Sequence, residues 1–288
     1  MTDRSALQAV SPLDGRYARY TESLVPYASE QALMRARVEV EVEYLIALSD
    51  LDVTPFEIDA GQRAELRALY EDFDESDAEI VKQLETSGYK DYSATNHDVK
   101  AVEYFIREGL PEGLDSANWI HFGLTSEDAN NLAHRLLVKP AVENVLVPEL
   151  RAVRDDLVAL AQENKEVPML ARTHGQPATP TTFGKEMAVY AARLGKAIAR
   201  VERAADALSG KLAGASGTYA AHHAAYPEVD WPAFAAEFVG SLGLEHEPLT
   251  TQVNPCDDLQ TVFDALRGAN NVLLDLDLAM WLYISDRY

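Results

Sequence analysis

The chain has 288 residues, 47% of them hydrophobic, enough for one large domain or two ordinary ones with a substantial core. Its formal net charge of −22, from 47 acidic and 25 basic residues, argues against nucleic-acid binding, which needs a basic face. A lone Cys256, a start without an apolar signal core and the absence of a long uncharged apolar run lead to the expectation of a cytoplasmic protein with no membrane partner.

In chain order, residues 26–49 carry Met34, Val38, Val42, Leu45 and Leu48 at helical spacing, and 61–87 repeat the pattern more weakly. The texture changes after Glu112-Gly113. A short helix is predicted over 126–138 and a long one over 141–164, with Pro148 marking a kink or a later start. A second long helix is predicted over 183–208, a short one over 231–242 and a third long one over 257–285, apolar over much of its circumference. No segment reads as a strand ladder. The prediction is an all-α chain, with an N-terminal helical domain over 1–113 and part of a central helical bundle over 114–288. The chain stops at Tyr288 in helical register, without Gly, Pro or a polar tail. That reads as a truncated chain, an oligomer that covers its last helix, or both.

Four polar clusters interrupt this periodicity. Ser11-Pro12-Leu13-Asp14-Gly15-Arg16-Tyr17 is a Pro/Asp/Gly turn, or a place where Arg16 and Tyr17 meet a phosphate or carboxylate. In Thr95-Asn96-His97-Asp98-Val99-Lys100, Thr95 or Asn96 caps the helix that follows. Alternatively, Asn96 and His97 act as donors to an anion at that helix start, with Asp98 orienting an imidazole. In His121-Phe122-Gly123-Leu124-Thr125-Ser126-Glu127-Asp128, Thr125 and Asp128 match a capping box, while Thr125 and Ser126 also offer hydroxyls and N–H groups to an anion. The fourth cluster, Arg172-Thr173-His174-Gly175-Gln176-Pro177-Ala178-Thr179-Pro180, is either a helix-connecting turn or a loop that holds the His174 imidazole for proton transfer near neutral pH. Gln252, in the loop before the last helix, is an amide contact or an ordinary polar loop residue. His222-His223 are adjacent rather than four apart, so no metal site is expected, and nothing calls for a cofactor.

Asp14–Tyr17, Thr95–Glu103, Thr125–Asp128, Arg172–Pro180 and Ala225-Tyr226-Pro227-Glu228-Val229-Asp230-Trp231 occur together in one order. In that order they resemble the adenylosuccinate lyase family of the fumarase/aspartase superfamily. The resemblance implies β-elimination of fumarate from succinylated purine nucleotides. His174 would be the general acid, and Arg16, Tyr17, Asn96, His97, Asp98, Thr125, Ser126 and Gln252 would contact the substrate. It also implies a homotetramer whose sites draw on three subunits. Family members continue into a flexible Gly-Ser-Ser-x-Met-Pro-x-Lys-x-Asn-Pro loop whose serine is the base. This sequence ends before it, so the 288-residue chain is expected to be inactive or nearly so alone. The other readings are a non-catalytic helical assembly module, which would not bind AMP, and a sister fumarate-releasing lyase.

Overall fold

The computed structural model describes residues 6–286. The chain is mostly helical: α1 Glu30–Ser49, α2 Ala60–Glu71, α3 Glu75–Thr86, α4 Asp98–Glu108, α5 Ser126–Ala141, α6 Val147–Glu163, strands β1 Pro168–Thr173 and β2 Gln176–Thr182, then α7 Phe183–Asp206, α8 Trp231–Ser241 and α9 Asp257–Ser285. The weak periodicity over 61–87 resolves into two helices because Asp59 and Asp74 each build a capping box at a fresh start. Residues 126–163 run on through one π turn, Val142–Leu146. Pro148 follows as the second residue of α6. Its ring would clash with the carbonyl four residues back, and the widened turn before it accommodates that.

The contacts group into two compact units, one of residues 1–138 and 209–255, the other of 139–208 and 256–288. The return of 209–255 to the N-terminal segment is a feature that the expected division at 113/114 does not contain. The first unit is built on α1, whose Val38, Val42, Tyr44, Leu45 and Leu48 are fully buried. Ala32 and Ala36 of α1 pack against Ala133 and Leu137 of α5. A two-residue parallel pairing joins Ser209–Gly210 to Glu245–His246.

In the second unit α7 packs on α6 and on α9, burying Met187, Leu194, Ile198 and Val201. The long apolar α9 buries only Val262 and Ala269 along its length. Leu274, Leu278, Trp281 and Ile284 stay more than half exposed.

The absence of strands expected from the sequence is corrected by the β1–β2 hairpin. Pro177 and Pro180 spoiled the strand pattern, yet in a two-stranded sheet every strand is an edge and tolerates a missing N–H. A bulge between Leu170 and Arg172 absorbs the irregular register.

Candidate active site

In the first unit, α4 opens with His97 as its cap, not Thr95 or Asn96 as the sequence suggested. His97 Nδ1 accepts the Lys100 N–H at 3.3 Å. Thr95 instead folds the approach, its Oγ1 accepting the His97 N–H at 3.2 Å. Asn96 stands in the left-handed region at φ 51°, where asparagine is among the better tolerated residues. Because Nδ1 of His97 accepts, Nε2 carries the proton and donates to Ser126 Oγ at 3.3 Å.

Asp98 Oδ1 stands 3.5 Å from His97 Nδ1, and its shorter contacts lie elsewhere. Its Oδ2 takes the Arg37 guanidinium at 2.7 Å, and its Oδ1 takes the Val99 N–H at 2.9 Å. Burial alone would raise the Asp98 carboxyl; Arg37, with the Val99 N–H and His97, holds it below its ordinary value. Arg37 also donates to Asn130 Oδ1 at 2.8 Å, so one nearly buried arginine ties α1 to the start of α4 and to α5. Asn96, His97, Asp98 and Arg37 line an open depression of about 450 Å³.

The start of α5 is fixed from inside. Asp128 Oδ2 accepts the Thr125 N–H at 2.8 Å, which is the reverse half of the capping box. The Thr125 N–H is therefore already committed, and only its hydroxyl remains of the two anion donors expected from that residue. The same carboxylate accepts the N–H groups of Ala213 at 2.9 Å and Gly214 at 3.1 Å, and pairs with Lys211 Nζ at 2.9 Å. Both charged side chains are fully buried. Lys211 spends its other donors on the carbonyls of Gly214 at 3.0 Å and Gln252 at 2.6 Å. The exposed Gln252 amide then donates to Thr125 Oγ1 at 3.3 Å, across 127 positions of sequence.

Asn131 and Arg135 continue this buried polar face of α5. Asn131 exchanges hydrogen bonds with the main chain of Lys211, and Arg135 donates to Ser209 O at 2.6 Å. Sequence reasoning missed this face. The signal was present: Asp128, Asn131 and Arg135 recur at helical spacing on the side that also carries Leu132.

Two further pairs lie in the core of this unit. Tyr44 Oη donates to Phe122 O at 2.8 Å, so His222 Nε2, 3.0 Å away, is the donor to the phenol oxygen. His222 Nδ1 meets no partner among the described residues. Burial pushes His222 down to about 4, against a weaker upward pull from Asp128. Gly123 makes room for it: at φ +69°, a Cβ there would lie 2.6 Å from His222 Nε2. His121 Nδ1 meets the fully buried Glu41 at 2.6 Å. Burial lowers that imidazole, and the Glu41 carboxylate outweighs it, leaving His121 raised.

Arg16 and Tyr17 follow the turn that Ser11 caps, its Oγ accepting the Leu13 N–H at 3.2 Å. Both are exposed, and among the described residues no hydrogen bond or ion pair joins them to the other candidate residues. His174 belongs to the second unit. There, His174 at φ 53° and Gly175 at φ 72° form the two-residue tip of the β1–β2 hairpin, between the paired Thr173 and Gln176. Two successive left-handed residues are what a type I′ turn needs. The tip is exposed on both strands.

A family model described as a lyase matches residues 11–287. This chain belongs to that lyase family. It is 43% identical over 288 residues to the adenylosuccinate lyases of Haemophilus influenzae and Escherichia coli strain K12. It is 42% identical over 292 residues to that of Dictyostelium discoideum. Each match covers 98% of this chain and 61% of the relative, so the chain spans less than two thirds of the length of these lyases. Among the described residues no group of three or more His, Cys, Asp or Glu is placed to hold a metal ion. No helix among them is long and apolar enough to cross a membrane.

Proposed function

We propose that this lyase-family chain serves the adenylosuccinate lyase reaction: β-elimination of fumarate from adenylosuccinate to give AMP, and from SAICAR to give AICAR. A base removes the proton beside a substrate carboxylate, and its electron pair becomes the new C=C bond. The C–N bond breaks, and the leaving nitrogen takes a proton from His174. His97, Ser126, Thr125 and Gln252 bind the nucleotide, with Asn96 and Asp98 beside them, and Arg16 and Tyr17 contact its anionic groups.

The observation that carries this reading is the convergence of His97 on Ser126 and of Gln252 on Thr125. Hydroxyls, an imidazole and an amide from three loops meet there, in a chain 43% identical to enzymes of that name. The protein is a cytoplasmic homotetramer in this reading, and the exposed apolar residues of α9 support such an assembly. Residues 1–113 form its N-terminal domain and 114–288 contribute to its central bundle.

Calorimetric titration with AMP tests the nucleotide site: saturable heat is expected, and none up to millimolar AMP would overturn the reading. Turnover is followed by the absorbance lost as adenylosuccinate becomes AMP. In a form of the protein that turns over, His174→Ala should lower kcat about 100-fold or more. An unchanged kcat removes His174 as the acid.

A further inference from the structure

The groups proposed to contact the nucleotide lie on separate loops, and something must hold those loops in register. Asp128 and Lys211 contact both. One carboxylate takes the N–H of Thr125 on one side and those of Ala213 and Gly214 on the other. The ammonium paired with it takes the main-chain carbonyl of Gln252, the residue whose amide reaches back to Thr125. Every polar atom of the pair is therefore spent on main chain or on its partner, inside a region with no solvent exposure for either side chain. Burying two charges costs enough that apolar side chains of similar volume often serve stability as well or better. What they cannot do is fix five main-chain groups from three segments at hydrogen-bonding distance.

We infer that Asp128 and Lys211 are positioning residues. Their buried pair locks the Thr125–Ser126 helix start to the Gln252 loop, so that the hydroxyls and the amide present one fixed surface to a purine nucleotide. This rests on the nucleotide reading given above. Neither residue touches the ligand; each acts through the main chain it holds.

The test separates positioning from mere stability. Lys211→Met keeps the length of the side chain and removes the ammonium. Leu66→Ala, in the fully buried core of α2, is the control that destabilises the same unit elsewhere. Under conditions where both variants are folded, Lys211→Met should weaken AMP binding by calorimetry at least tenfold while Leu66→Ala leaves it unchanged. Equal losses in the two variants would overturn the inference.

A second measurement needs no variant and no ligand. In the parent chain the amide protons of Thr125, Ala213 and Gly214 should exchange with one common opening equilibrium, because one carboxylate holds all three. Independent, faster exchange of Thr125 would overturn the inference even if Lys211→Met fails to fold. If the parent chain binds no AMP, the nucleotide reading fails, and this exchange comparison still decides whether the pair couples the loops.

Discussion

The start of α5 and the tip of the β1–β2 hairpin are both polar, and both carry candidate residues, but they are held in different ways. At α5 the Thr125 N–H and the Gln252 carbonyl both lead inward to a buried charge. At the hairpin, His174 stands on a two-residue turn whose strands are largely exposed and held mainly by each other. Arg172 reaches Asp286 only at 3.5 Å. One region obtains its geometry from a desolvated network, the other mainly from strand pairing and turn conformation. Loss of Asp128 should therefore register first as stability, and loss of His174 as chemistry.

The largest effect expected of this contrast is that of Asp128→Ala. It leaves the Lys211 ammonium buried without its partner and three N–H groups without an acceptor, a change that costs about 3–5 kcal/mol. Urea unfolding at neutral pH measures it. A loss below about 1 kcal/mol would mean that water reaches the pair and that the contrast with the hairpin is false.

Next comes the pH dependence of the first unit, where the buried His222 and the partly buried His121 pull in opposite directions. Unfolded, His222 takes its proton near 6.5; folded, only near about 4. Between those values the unfolded chain holds the extra proton, so stability present above pH 6.5 drains away as the pH falls toward 4. At about 1.4 kcal/mol per unit the whole contribution is roughly 3–4 kcal/mol. His121 is raised, so its contribution is complete below 6.5 and is lost as the pH rises through its folded value. Unfolding midpoints from pH 4.5 to 8 should fall on both flanks. His222→Gln should flatten the acid flank and His121→Gln the alkaline one. An acid flank unchanged in His222→Gln would show that carboxylates alone set it.

How far the sequence disclosed all this differs between the same two regions. Helix periodicity located α1, α7, α8 and α9 closely, because each has an apolar face that nothing but a helix would bury. The hairpin escaped notice because Pro177 and Pro180 mark most strands as broken, a rule that lapses when both strands are edges. At the candidate site the residue types were legible and their directions were not. His97 was read as a donor alone; its Nδ1 accepts the Lys100 N–H, and only Nε2 keeps the donor role. Lys211 gave no signal: a lysine between Gly210 and Leu212 reads as an exposed charge, and only its partner 83 positions earlier makes it a core residue.

Smaller effects belong to the second unit. Asp275 pairs with Arg193 at 2.6 Å, with both side chains about half exposed. Asp275→Asn should cost only about 0.2–1 kcal/mol. Part of that should vanish in 1 M salt, where screening removes the attraction. A salt-independent loss above about 2 kcal/mol would place the pair in a desolvated setting like that of Asp128.

The smallest stability change, and the one that separates the two regions most clearly, is that of His174→Ala. The side chain is exposed, so its removal strands no buried group and opens no cavity. The left-handed conformation at position 174 is no easier for alanine than for histidine, and Gly175 keeps its own. The unfolding free energy should move by no more than about 0.5 kcal/mol in either direction. A general acid removed at that same cost in stability would still take with it the proton needed by the leaving nitrogen. The combination of an unchanged unfolding curve and a kcat lower by about 100-fold is therefore the signature of a residue kept for chemistry. A large loss of stability instead would mean that the imidazole supports the hairpin, and that the turn, not proton transfer, explains its presence there.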